Sequence, residues 1–202
     1  MHAVRQPVSD LTESDLRAMR FKDLMALFGR LPAPSLQDMD GEFAAGLLAQ
    51  PNAVAQVIGH LTVNNPLMPG RWLCKAFTPV SADRGQGYNS FAHLGRTVRR
   101  YPMQTLIAPS RYDGRPAYTL VYAAFSSMCG AIHMVDEVRQ VAPGLYLGIG
   151  TWGFTDGQRQ VPLPFVLRGP IAPYAGHIGR RKQGFNVHQE IPALRHTARQ
   201  KG

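Results

Sequence analysis

No stretch of this chain approaches the roughly 18–20 consecutive apolar residues of a membrane-spanning helix. The segment from Met1 to Asp10 likewise has no apolar core of signal-peptide length. Cysteine is scarce. Cys74 and Cys129 are the only two, and neither sits in a CxxC or Cys/His cluster of the kind that holds zinc. With no export signal read, the expectation is a cytoplasmic protein whose two thiols stay free and fill space as small apolar groups. Charged side chains make up only 17% of the 202 residues, against about 25% in an ordinary domain. There is no internal repeat and no low-complexity block. Strand and helix patterns do not alternate as βαβ units, which argues against a parallel sheet with a nucleotide-binding switch point.

Chemical motifs are equally sparse. The seven histidines include no HxH or i, i+4 pair that would suggest a metal site. Gly148-Ile149-Gly150 has no helix after it and is not a phosphate loop. Ser126-Ser127 lacks a nucleophile elbow. No cofactor and no metal are therefore expected.

What the chain does have is punctuation: 20 glycines and 16 prolines, favouring many short strands over long helices. Thr12 followed by Asp15 reads as a helix start, and Leu16, Met19, Leu24, Leu27 and Phe28 then recur near helical spacing up to Gly29. One amphipathic helix is expected over 12–28. A second, from Ser35 and Asp38 through Phe43, Leu47 and Leu48, should end near Pro51, and a third should cover 54–61. From Pro69 onward, β-branched and aromatic runs predict strands at 71–77, 88–99, 103–111, 117–126, 131–141, 145–154 and 161–168. Tyr112-Asp113-Gly114-Arg115, Pro143-Gly144 and Asp156-Gly157 mark turns between them. The expected fold is a mainly β, antiparallel up-and-down, lipocalin-like barrel at 69–169. A helical segment, 1–68, should pack on it, and an irregular basic tail, 170–202, should follow.

The net charge of +9 is uneven: five basic and seven acidic residues up to Gln50, then 17 and six. Such a surface attracts anions, but attraction is not recognition. Arg180-Arg181-Lys182 reads as a solvated end, and nucleic acid is not the expected partner. The sequence leaves the oligomeric state open, a homodimer included.

The run 131–141 carries the strongest chemical signal. Strand residues alternate between faces, so Ile132, Met134, Asp136 and Val138 share one face, and His133, Val135, Glu137 and Arg139 the other. The first set is apolar and should face inward, with Asp136 in its middle. A carboxyl among Ile, Met and Val loses hydration, which disfavours its charged form. It can serve as a general acid, or be a structural group paired with an arginine or with backbone at a bulge. Glu137, on the outer face beside Arg139, reads as a surface charge. In the preceding strand, Tyr118 and Tyr122 can each carry a hydroxyl toward Asp136 or a ligand. His93 is a second titratable candidate. The catalytic candidates are thus Asp136, Tyr122 and His93. The ligand-binding candidates are Trp72, Tyr118, Met134, Ile132 and Trp152.

Gly70-Arg71-Trp72-Leu73-Cys74-Lys75-Ala76-Phe77 resembles the first barrel strand of lipocalin-like proteins. More narrowly, it resembles the family named for its GXWXG motif, with Cys74 where the last glycine belongs. Met134 to Val141 followed by Leu145 to Gly148 is similar to the aspartate-containing strand pair of that family. The resemblance implies a calycin-type barrel with an internal apolar cavity and with Trp72 packed at its closed end.

These readings lead to a pocket for a small lipophilic molecule. The first expectation is a cofactor-free isomerase, cyclase or lyase in which Asp136 protonates an epoxide or carbonyl oxygen. The alternative is a non-catalytic carrier or sensor, and a third is a basic face that binds an anionic partner. Asp136 facing a cavity with no arginine partner would favour chemistry, and a paired Asp136 the carrier.

Overall fold

The computed structural model describes residues 10–65, 69–151, 155–191 and 194. Seven strands run as an antiparallel meander: β3 (Gly70–Pro79), β4 (Gly85–His93), β5 (Arg96–Pro109), β6 (Pro116–Val121), β7 (Val135–Ala142), β8 (Leu145–Gly150) and β9 (Leu163–Ala172). An earlier strand, β1 (Gly41–Leu47), pairs antiparallel with β9 on one side and β3 on the other. That double pairing closes an eight-stranded up-and-down barrel. Closure leaves no edge among these strands to recruit another chain. The two-residue β2 (Asn64–Asn65) adds a short extension to β3 at Arg71 and Gly70.

β1 lies where a helix was expected. Ser35 and Asp38 do cap each other, with Asp38 N–H donating to Ser35 Oγ at 3.1 Å and Ser35 N–H to Asp38 Oδ2 at 3.0 Å. The cap ends in a turn rather than a helix. Phe43 is fully buried in the barrel, tilted on Phe77 and edge-on to Tyr146. Pairing with two strands outweighs the high helix propensity of Ala44 and Ala45 here. The turn also delivers Leu36 and Met39 into the interior, packed with Phe43, Phe77, Tyr118 and Tyr146.

The run 88–99 is likewise two strands rather than one. Leu94 and Gly95 form the hairpin turn with φ of 48° and 75°, the left-handed geometry that a two-residue hairpin demands. The sequence signals this turn only through one glycine. The tight turn folds the chain back so that His93 pairs with Arg96, which accounts for the poor periodicity of that run.

The 12–28 segment is also divided, into α1 (Glu13–Ala18) and α2 (Phe21–Phe28). Thr12 and Asp15 form a reciprocal capping box at the start of α1. Both helices lie across the outer face of the barrel rather than at its end. Leu16, Leu24, Leu27 and Phe28 pack on Val141, Leu145, Leu147, Ile149 and Val166. Each such side chain contributes about 1.5–3 kcal/mol when fully buried. β8 is buried on both faces as a result, which explains its near-continuous apolar sequence. On the neighbouring outer surface, Phe185, Val187 and Ile191 of the C-terminal segment cover Ala108, Val121 and Val135. There the backbone of the basic triplet is pinned, with Ser126 N–H donating to Arg180 O and Lys182 N–H to Ala124 O, while its side chains stay exposed.

Covering the outer face also overturns the surface reading of Glu137. Its side chain is 3% exposed and meets Arg111 Nε at 3.4 Å. Arg139 is fully buried, stacked 4.6 Å over the Phe28 ring. Its guanidinium makes a two-pronged contact with Asp113 at 2.6 and 2.7 Å and donates to the carbonyls of Phe28, Arg115 and Pro116. Outward parity meant solvent in the sequence reading, but here it means burial under α2.

Removing one partner of such a pair leaves a buried charge short of acceptors. Asp113→Ala is expected to cost about 3 kcal/mol in urea unfolding. A loss below about 1 kcal/mol would show that the three carbonyls suffice for Arg139.

Candidate functional site

The barrel encloses a cavity of about 330 Å³, within the range of small-molecule sites. Its wall is mostly apolar, with one polar cluster contributed by Lys75, Asn89, Tyr122 and Asp136 and with Gln50, Thr62, Tyr101 and Thr151 elsewhere on it. α3 (Ala53–Val63), capped by Asn52 on Ala55 N–H, covers the mouth. Gly59, Thr62 and Val63 of α3 face the cavity, while Val54, Val57 and Leu61 are exposed.

Asp136 points inward, with the residue 2% exposed, but it is not alone. Lys75 Nζ lies 3.0 Å from its Oδ2, 3.0 Å from Asn89 Oδ1 and 2.5 Å from the Tyr122 hydroxyl. Tyr122 in turn donates to Asp136 Oδ2 at 2.9 Å. Trp72 Nε1 donates to Asn89 Oδ1 at 3.2 Å. The rings of Trp72, Tyr122 and Phe165 surround the ammonium at 5.2–5.3 Å, adding cation–π attraction to the ion pair. The wall opposite the pair is kept thin. A Cβ on Gly148 would overlap the Phe165 ring, and one on Gly150 would stand 3.4 Å from Asp136 Oδ1.

Lys75 is the residue that sequence reasoning missed, although it lies within the quoted strand. Strict alternation from Trp72 turns Lys75 outward. A β-bulge between Trp72 and Cys74 inserts one extra residue, so Trp72, Lys75 and Phe77 all reach the interior. Bulges re-aim side chains in this way, and nothing in the local residue types announces this one. Asn89 was missed because the run around it was read as a single strand with His93. The aspartate's partner is thus a lysine from β3, neither the arginine nor the backbone group weighed from the sequence.

Of the other expected residues, Trp72, Tyr122, Ile132 and Met134 line the cavity with Asp136. Ile132 and Met134 do so from the loop before β7, since α4 (Met128–Ala131) replaces the start of the expected strand. Tyr122 opens a single 3₁₀ turn, Tyr122–Ala124, directly after β6. Trp72 lines the cavity edge-on to Phe165 and packs against the buried cluster that includes Phe43 and Phe77. Tyr118 is buried away from the cavity wall, its hydroxyl donating to Thr105 Oγ1 at 2.8 Å. His93 stands at the end of β4 and is absent from the wall and from the polar cluster. Trp152 lies outside the described residues. Among the described residues, no group of three His, Cys, Asp or Glu side chains is arranged to hold a metal, and no helix is long and apolar enough to cross a membrane.

No family model matches the chain, and no curated protein matches it. The eight-stranded barrel is therefore shown by the structure itself, while the GXWXG resemblance remains a local one. Among solved structures, a crystal structure of a protein from Thermomonospora curvata is similar, with a TM-score of 0.49 and 14% identity. The match covers 74% of this chain and 87% of that one.

Burial sets the protonation of the surrounding groups. It pushes the Tyr122 hydroxyl well above its ordinary 10.0, reinforced by the negative charge of Asp136. Burial raises the Cys129 thiol to about 12, with Asp136 adding to it, and the Cys74 thiol to about 11. Both cysteines are buried and free. All three groups hold their protons more tightly folded than unfolded. The stability they lend is complete below the unfolded thiol value near 9.0 and is lost as pH rises toward about 12. The thermal midpoint is expected to fall steadily from pH about 9 upward, and Cys129→Ser should flatten that fall. A midpoint constant up to pH about 11 would contradict the assigned burial.

Proposed function

We propose that this protein binds a small, largely apolar molecule inside the barrel and holds it, as a carrier or sensor of a lipophilic ligand. The observation that supports this reading is the cavity itself. An apolar wall surrounds one polar cluster whose charges already neutralise each other. A carboxyl that carries its own ammonium partner is organised for anchoring rather than for giving up a proton. The neutral fluorescent dye N-phenyl-1-naphthylamine is expected to bind saturably at one site. Ile132→Trp, which fills the cavity, should weaken it at least about tenfold. Non-saturable binding, or binding indifferent to that substitution, would refute the reading.

A cofactor-free isomerase or lyase is the second reading, and one observation favours it. Lys75, Tyr122 and Asp136 sit within 2.5–3.0 Å of one another, so a proton can pass among them. On this reading Tyr122, held protonated by burial, donates to the substrate, and the Lys75 ammonium, 2.5 Å from its oxygen and held in place by Asp136, returns a proton to it. One substitution separates the two. Under either reading, Asp136→Asn leaves Lys75 buried without its counter-charge and lowers stability by about 3–5 kcal/mol. Under the enzymatic reading alone, the fraction that remains folded and binds the dye also loses turnover by about 10²–10⁴ on any substrate that the wild type converts.

A further inference from the structure

The unused hydrogen-bonding capacity of the cavity's polar cluster is of one kind. Lys75 has three donors, and all three are engaged, by Asn89, Tyr122 and Asp136. Trp72 Nε1 is engaged by Asn89. Tyr122 gives its proton to Asp136. The Asn89 amide is fixed in orientation because its oxygen receives Lys75 and Trp72, and its nitrogen faces the Tyr122 hydroxyl and the Tyr101 carbonyl. Thr151 donates to Val135 O. Gln50 is fixed as firmly, because its Nε2 donates to two carbonyls, those of Leu48 at 2.8 Å and Pro164 at 2.9 Å.

Among the described residues, the two buried side-chain polar atoms of the wall that lack a partner are both acceptors: Asp136 Oδ1 and Gln50 Oε1. A buried carboxylate oxygen without a donor is costly. The Tyr101 hydroxyl, half-buried at the wall, can accept as readily as it donates. The Cys129 thiol is a weak donor at best.

Resting on the reading of the cavity as a lipophile-binding site, we propose that its ligand is an uncharged alcohol or phenol. The ligand's hydroxyl donates to Asp136 Oδ1 while its hydrocarbon body fills the apolar space. A carboxylate head would meet Lys75 with every donor already taken and Asp136 repelling it. At the polar cluster, a carbonyl, ester or epoxide oxygen would find an acceptor where it needs a donor. The same donor inventory therefore weighs against a carbonyl or epoxide as the anchored group in either reading above.

The test compares three probes of equal chain length by calorimetry on the whole protein: 1-octanol, octanoate and methyl octanoate. The expected order places 1-octanol at least about tenfold tighter than either of the others, the worth of one hydrogen bond to a charged acceptor. Combining Lys75→Met with Asp136→Leu removes the pair without stranding either charge, a replacement that buried ion pairs tolerate. In that variant the advantage of 1-octanol over methyl octanoate should disappear. Octanoate or methyl octanoate binding as tightly as 1-octanol would overturn the hydroxyl assignment and leave the binding reading standing. An unchanged preference in the double variant would do the same. If none of the three probes binds, both fail. The wild-type order alone decides should the double variant not fold.

Discussion

Two opposite charges, Lys75 on β3 and Asp136 on β7, face each other at 3.0 Å inside an apolar barrel. Taking both out of water costs several kcal/mol each, so the pair persists only because its surroundings hold it. Tyr122, Asn89 and Trp72 supply the hydrogen bonds, and three aromatic rings supply the cation's remaining contact. The bulge at Trp72–Cys74, the 3₁₀ turn at Tyr122 and the bare positions Gly148 and Gly150 all have a reason in that arrangement. Each brings a group to the pair or makes room for it.

The pair can be buried at all because the barrel is closed. β1 fills the gap between β3 and β9, and its turn at 34–40 drives Leu36 and Met39 into one part of the interior. Phe43, Phe77, Tyr118 and Tyr146 complete that packing, and the cavity remains where α3 crosses the mouth. The outer face repeats the logic with different partners. Arg139 with Asp113, and Arg111 with Glu137, lie under the helices and loops that cover β7. Strand β7 thus carries three buried charged side chains, Asp136 facing inward and Glu137 and Arg139 facing outward under cover, with Val138 between the last two. Each charge is matched from another element.

The site's chemistry follows from what the network leaves over. Its donors are spent internally, and the free positions on the wall accept. A pocket of this kind discriminates by the polar end of its ligand and is permissive about the hydrocarbon body, since an apolar wall rewards area more than shape.

Alternation and turn residues in the sequence determined that the chain after Pro69 is an antiparallel meander, and parity determined that Asp136 faces inward, whereas Tyr122 is aimed by the 3₁₀ turn after β6. Alternation and parity are local properties with a period of two, readable residue by residue. The sequence did not reveal that residues 41–47 are a strand, because their pairing partners lie at least 30 positions away on β3 and more than 115 away on β9. Nor did it show Glu137 and Arg139 as buried, because outward parity becomes solvent exposure only if nothing lies on top. Lys75 was the deepest omission. Its inward aim depends on one extra residue in β3 relative to β4, and only the strand pairing itself decides where that residue goes.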